Sequence, residues 1–498
     1  MPSHHPDTVS AVLARGRLGI PAVVFFVVAA AAPLTAVAGG ATTGYAVTGV
    51  LGIPLAYLVI AAVLALFAVG YVAMSRQIVN AGAFYTYVTR GLGRPAGVAA
   101  AMIALLAYNS MQIGLYGVFG AVLSGFLNDR FGMNTTWWLC AVIAWAVIAV
   151  LGLLRIDLNG KVLAVLLVAE CVIALVYDAV MVARPVNGAG VSFDTLAPGN
   201  LIGPGIGAAL VTGIAGFVGF EGTTVFAEET KDPKRTVPRA TYIAVAVTGL
   251  LYGLSAWAMS VATGPDQIVA AAQTEGTDLI FNLVSPHLTS SLVTLGRWLF
   301  ITSLFAALLS FHHTVARYAF ALGRERVLPS ALGRTSRRTG APKAGSILQS
   351  VLAVAVLTGY VLADADPVVH LFFWLTSLGA LGVLILMTAT SVAVLSYFTR
   401  IAHRDGMWRT TVAPFLSALA LGAILVVTVE QFDALLGVEP TSPLRWMFPA
   451  SYAVVAAIGL AWAFTLRAAR PDVFQAIGLG ADSATASLRA PYPVRQPV

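Results

Sequence analysis

The sequence predicts an all-α polytopic membrane protein of twelve transmembrane helices, two of them broken in mid-course. Of its 498 residues, 58% are hydrophobic and 10% are charged, whereas soluble domains are about 45–50% apolar. The apolar residues also fall in stretches of roughly 20, the length that crosses about 30 Å of hydrocarbon at 1.5 Å per residue. One stretch is interrupted: Gly216-Phe217-Val218-Gly219-Phe220-Glu221 places two glycines and a carboxylate among apolar residues, and a charged, proline-marked loop at 228–238 closes it. A carboxylate and weak helix backbone persist in lipid only where they line a cavity or meet a ligand.

Residues 1–17 are polar and read as a cytoplasmic N-terminal segment; the apolar run from Leu18 is too long for a signal-peptide core. The twelve expected spans are 18–42, 48–74, 96–127, 136–154, 158–183, 203–228, 239–262, 288–322, 344–363, 367–398, 411–435 and 448–468. With the N-terminus inside, Arg76, Arg90, Arg94, Arg155, Lys231, Lys234, Arg235, Arg239, Arg324, Arg326, Arg334, Arg337, Arg338, Lys343, Arg400, Arg404 and Arg409 fall in or beside cytoplasmic loops. Arg130, Arg184, Arg297 and Arg445 fall at the outer side, so the asymmetry predicts both termini inside. The net charge of +7 follows from those loops and does not call for a nucleic-acid partner. Cys140 and Cys171 both sit in apolar spans, which argues against a disulfide framework. Outer segments 184–203 and 263–287, rich in Gly, Pro and polar residues, are expected to form short lids. Residues 471–498 are expected to form a disordered cytoplasmic tail.

The first span carries a second interruption, from Pro33 through Gly39-Gly40 to Gly44. Proline removes a backbone hydrogen bond and glycine weakens the helix, so this segment either unwinds near mid-membrane or ends the helix early on a close-packed face of small residues. Breaks in spans one and six, five helices apart, form the pattern of a five-plus-five inverted repeat. The repeats would be 18–183 and 184–398, with 399–470 carrying helices 11 and 12.

Three groups of residues in this order resemble the amino acid/polyamine/organocation (APC) superfamily of secondary transporters. They are Gly216–Glu221 with loop 228–238; Tyr71-Val72-Ala73-Met74-Ser75 with Asn80-Ala81-Gly82-Ala83-Phe84-Tyr85-Thr86-Tyr87; and Ala316-Arg317-Tyr318-Ala319-Phe320-Ala321 with Leu328-Pro329 and Gly340-Ala341-Pro342. The resemblance implies an inverted-repeat permease in the cell's inner membrane that moves amino acids or related amines by alternating access, with the lipid bilayer and a small-molecule substrate as partners.

The residues agree with that expectation. Free N–H groups at Ala36, Val37, Ala38, Gly39 and Gly40 are expected to bind a substrate carboxylate, because a half-helix N-terminus is partly positive. Carbonyls around Ala215, Gly216, Phe217 and Gly219 are expected to receive the ammonium. Gln112 in span three stands where related transporters place a selectivity residue; it either bonds the substrate side chain or bonds another helix. Phe217 and Phe311 are candidate aromatic walls, and Ala215 stands where the family commonly carries an aromatic gate. Glu221 is the candidate for gating or coupling, against a structural role of holding the break.

Alignment of Asn159-Gly160-Lys161-Val162 with the family's fifth helix puts Glu170 where proton-coupled relatives place a lysine, and leaves Lys161 near the cytoplasmic interface. Glu170 is then a proton site, a partner for a cationic substrate, or a buried carboxylate paired with a hydroxyl. Ser310 and Thr314 lack the adjacent Ser/Thr pair usual at the family's sodium site, and adjacent His312 and His313 point to different sides of a helix, so no metal is expected. The absence of HExxH and GxSxG patterns argues against an enzyme, and no cofactor is expected. The expectation is a proton-coupled amino-acid or amine importer, with an exchanger and a non-transporting sensor of the same fold as alternatives.

Overall fold

The computed structural model describes residues 18–480 except positions 79, 81, 155, 189, 337–339 and 404, and omits the side chains of 156–164 and 187. The expected N-terminal segment 1–17, residues 481–498 and the side chain of Lys161 lie outside the described residues. No strand occurs among the described residues, and the one bridge joins Leu18 to Thr230.

Eleven of the described helices are long and apolar enough to cross a membrane. They are α1 (Ile20–Thr48), α2 (Ile53–Gln77), α3 (Arg94–Phe131), α5 (Ile156–Ala183, of which Val165–Ala183 is the apolar part), α6 (Ile206–Val225) and α7 (Pro233–Thr263), followed by α8 (Ser290–Arg324), α9 (Lys343–Leu362), α10 (Pro367–Arg400), α11 (Trp408–Glu430) and α12 (Leu444–Ala469). The expected fourth span is the shorter apolar helix α4 (Trp137–Leu151), which stops where Gly152 leads into a turn. Helix starts follow proline chemistry: Pro21, Pro54, Pro95 and Pro233 occupy first-turn positions, where the missing N–H costs nothing.

The irregular segments are short helices. Segment 75–95 contains the helix Ala83–Leu92, and 263–287 contains Ile268–Glu275 and Leu279–Val284. Segment 184–203 holds single 3-10 turns at Val186–Gly188, Asp194–Leu196 and Pro198–Asn200. The expectation of a disordered tail from 471 is corrected for 471–480. Helix Pro471–Ala476 and the residues after it bury Val473 and Ile477, and the Gly478 and Gly480 amides donate to Glu325 at 2.6 and 2.7 Å. Apolar residues spaced along that segment supply a packing face that its overall composition hides.

The core lies where α1, α3, α6, α8 and α10 meet; α5 and α7 pack against α1, and α2 packs against α7. Helices α4, α9, α11 and α12 turn many apolar side chains outward, among them Val150, Val351, Phe415 and Ile458. Such a surface suits lipid and has no driving force to be buried within the bundle.

Candidate functional site

Helix α1 is broken at Ala32-Pro33. Its first half, Ile20–Ala31, ends on Ala32 in the left-handed region (φ 45°, ψ 78°). Pro33 cannot donate to the preceding turn, and the chain resumes through a π-helix at Thr35–Ala41 before regular helix at Thr42–Thr48. Because Ala36 N–H already donates to Ala32 O (2.9 Å), the amides freed by the break belong to Leu34 and Thr35 and not to 36–40 as expected. The correction has a local cause: the small residues 36–40 wind into the wider π-turn and keep their hydrogen bonds inside it. The Leu34 amide faces the Glu170 carboxyl. Two tyrosines collect carbonyls at the break: Tyr252 OH donates to Ala31 O at 2.8 Å and Tyr57 OH to Ala36 O at 3.4 Å. In lipid these are the partners that water cannot provide.

Helix α6 breaks after Phe217 by a different device. Gly219 adopts φ 116°, and its N–H turns to the Glu221 carboxylate (Oε2, 2.9 Å) and not back to Ala215. Phe220 N–H bonds to Phe217 O at 3.1 Å, so the Gly216 carbonyl loses the partner that a continuous helix would give it. Tyr108 OH donates to the other Glu221 oxygen at 2.6 Å, and Tyr71 OH to the Glu221 carbonyl at 3.0 Å. Fully buried and bonded at both oxygens, Glu221 holds the break.

Between the two breaks lies a cavity of about 60 Å³. Thr35, Ala36 and Gly40 line it from α1, Thr212, Ala215 and Gly216 from α6, Met111 and Leu115 from α3, Phe311 from α8, and Phe372, Phe373, Thr376 and Ser377 from α10. The lining carries no charged side chain. Among the described residues, the buried Thr212 hydroxyl has no hydrogen-bond partner.

The structure thus brings Ala36, Gly40, Ala215, Gly216 and Phe311 together at the cavity, while Val37, Ala38, Gly39, Phe217 and Gly219 lie outside its lining. Phe217 packs instead with Tyr57 and Tyr252, at ring distances of 6.4 and 5.5 Å, a cluster that wedges the two breaks against each other. Gln112 lies outside the lining. It accepts from Gln349 Nε2 and lies 3.3 Å from His312 Nδ1, and His312 Nε2 is 2.7 Å from Ser346 Oγ, so the amide joins α3 to α8 and α9. Helix periodicity explains the change, because Met111 and Leu115, four apart, take the cavity face.

Tyr57, Tyr252, Thr212 and the α10 residues escaped the sequence reading. The signal was present at α10: Asp366-Pro367 caps a π-helix at Pro367–Phe373, with Asp366 accepting from Val368 and Val369 N–H, and Phe372-Phe373 are followed by Thr376-Ser377. The aromatic surface missing at Ala215 comes from Phe311, Phe372 and Phe373.

Glu170 sits two steps from the cavity. Its carboxyl faces the Ser303 hydroxyl of α8 and the Leu34 amide, and Thr35 Oγ1 donates to Ser303 Oγ at 3.4 Å, so α1, α5 and α8 meet there. Glu170 Oε2 is buried without a hydrogen-bond partner among the described residues. Thr314 Oγ1 donates back to Ser310 O at 3.0 Å, while the buried Ser310 hydroxyl has no partner among the described residues. No cluster of three His, Cys, Asp or Glu converges among the described residues.

The end of the bundle bearing the basic loops is closed. Arg317 Nε pairs with Glu229 at 2.8 Å, both side chains 3% exposed, and the guanidinium lies 5.0 Å from the Phe226 ring centroid. Arg324 grips Glu228 with both terminal nitrogens, at 3.0 and 2.8 Å. Leu18 N–H donates to Glu229 O and Lys231 N–H to Leu18 O, at 3.0 and 2.9 Å, tying the start of α1 to the same loop. Helix α8, the start of α1 and the loop after α6 are therefore tied together at this end of the bundle.

The sequence profile of the amino acid permease family matches residues 18–458. The chain is 27% identical over 257 residues to the cationic amino acid transporter 7, chloroplastic, of Arabidopsis thaliana, covering 50% of this chain and 38% of that protein. It is 25% identical over 227 residues to the low-affinity putrescine importer PlaP of Escherichia coli K12, covering 44% and 46%, and 24% identical over 228 residues to amino acid transporter protein 6 of Caenorhabditis elegans, covering 44% and 40%. The alignments thus span less than half the length of each of these relatives. With the family profile running through these ion pairs, both helix breaks and the cavity, this multi-pass membrane protein belongs to the amino acid permease family of the APC superfamily.

Proposed function

We propose that the protein is a secondary active transporter that imports an amino acid or a related amine by alternating access, driven by protons. The carrying observation is the cavity itself, bounded by the broken stretch of α1 on one side and the released Gly216 carbonyl of α6 on the other. A half-helix N-terminus attracts a carboxylate and an unpaired carbonyl attracts an ammonium. The uncharged lining and small volume fit a small neutral side chain or a compact amine better than a bulky cationic one. In this reading twelve helices form a five-plus-five repeat, α1–α5 and α6–α10. Both termini are cytoplasmic in the cell's inner membrane, and the Arg317–Glu229 gate is the inner gate. The relatives' names, cationic amino acid transporter and putrescine importer, support the substrate class. An exchanger would use the same site; a sensor would bind there without moving its ligand.

Glu170 is the proposed proton site, because its unpartnered oxygen stands at the junction of α1, α5 and α8, where protonation changes what holds the α1 break. In vesicles of purified protein, an imposed inward proton gradient is expected to drive accumulation of labelled substrate. Glu170→Gln, which keeps shape and cannot titrate, is expected to lose the gradient dependence while retaining exchange. Gradient-driven accumulation that persists in the variant would move coupling away from Glu170.

A further inference from the structure

We propose that Asp178 is a second proton-binding site, placed on the outer side of Glu170 in the orientation proposed above, so that α5 carries a two-carboxylate proton path to the α1 break. The inference rests on the proton-coupled reading and extends it to a residue outside the cavity.

Asp178 is 2% exposed within an apolar span. Its Oδ2 accepts from Ser255 Oγ of α7 at 2.8 Å, and its Oδ1 is buried without a partner among the described residues. A buried carboxylate with one hydroxyl and no cation is costly to hold charged in lipid, so the site favours a bound proton. Glu170, Ala174 and Asp178 are spaced i, i+4, i+8, and all three are buried on one face of α5. Helix rise separates the carboxylates by about 12 Å, and between them the buried face carries Ile173, Ala174 and Tyr177. Helix α7 supplies a parallel polar edge: Ser255 meets Asp178, and Tyr252, one turn earlier, donates to Ala31 O at the α1 break. The structure therefore aligns an orphan oxygen on Asp178, an orphan oxygen on Glu170 and the Leu34 amide at the break.

The groups around the two acids leave the proton as the charge they exchange. Helix α7 contributes Tyr252 and Ser255, α1 the Leu34 amide, and α8 Ser303. On α5 itself stand Cys171, beside Glu170, and Tyr177, whose OH donates to Leu292 O at 2.9 Å. Arg297 of α8 acts on Tyr177 and pairs with Asp278 while lying 5.0 Å from the Phe281 ring centroid. In the step proposed, the proton on Asp178 Oδ1 is delivered to the Glu170 carboxylate at Oε2, leaving Asp178 as carboxylate to be reprotonated from the outer side.

The test uses full-length protein in vesicles, read by proton-gradient-driven accumulation and by exchange without a gradient. Asp178→Asn is expected to reduce driven accumulation at least tenfold while exchange stays within about twofold of wild type, and Asp178→Glu to restore driven accumulation. Ser255→Ala, which removes the donor to the charged form, is expected to move the pH midpoint of driven uptake upward by roughly half a unit, the equivalent of one modest hydrogen bond. This variant also serves if Asp178→Asn fails to fold. Wild-type accumulation that ignores the gradient would overturn the proton-coupled reading itself. A gradient-dependent wild type with Asp178→Asn driven normally, or with an unmoved midpoint in Ser255→Ala, would overturn the role of Asp178 alone.

Discussion

Gly219→Leu is expected to abolish transport in protein that still inserts into the membrane. At φ 116° the backbone lies where a side chain is strained by about 1–3 kcal/mol. A Cβ there would also stand 2.6 Å from the Ala30 Cβ, at the crossing of α6 over α1 beside its break. Relief requires the α6 turn to rewind, which would return Gly219 N–H from Glu221 to the helix and reclaim the Gly216 carbonyl from the cavity. Gly39→Leu enters from a less strained position: its Cβ meets nothing closer than Phe372 at 3.8 Å, so only the longer side chain would press toward the cavity wall. Uptake per inserted molecule checks both, and a wild-type rate for Gly219→Leu would remove the α6 break from the mechanism.

Arg317→Ala is expected to have the second large effect. It leaves Glu229, 3% exposed, without its cation, and stranding one member of a buried pair costs about 3–5 kcal/mol. The gate should then favour opening, with driven accumulation lost through leak and the melting temperature lowered. The double variant Arg317→Ala/Glu229→Ala removes the stranded charge and should melt above the single variant. Equal destabilisation in single and double variants would mean that the pair contributes nothing to closing this end.

The composition and the breaks at Pro33 and Gly219 were legible in the sequence because lipid makes every free backbone group conspicuous. Positions within each break were less legible. Which amide is freed in α1 depends on Ala32 taking a left-handed conformation and on 35–41 winding as a π-helix, neither of which is marked by residue type. Gln112 shows the limit at the level of a side chain: a polar residue on the right helix is drawn to Gln349 and His312 or to substrate according to a rotation about the helix axis. Tyr57 and Tyr252 look like ordinary aromatic residues until their hydroxyls are seen on the carbonyls of Ala36 and Ala31. Asp178 shares an apolar stretch with Glu170, but the family alignment of that helix points to Glu170 alone.

Counterflow in reconstituted vesicles tests the central claim most directly, because it asks whether the cavity moves what it binds and needs no driving force. Vesicles preloaded with an unlabelled small amino acid or diamine are expected to draw in trace label transiently above its equilibrium level, and Gly219→Leu vesicles are expected not to. Saturable binding of the label to the wild type with no overshoot for any amino acid or amine would contradict transport and leave a sensor built on the same fold.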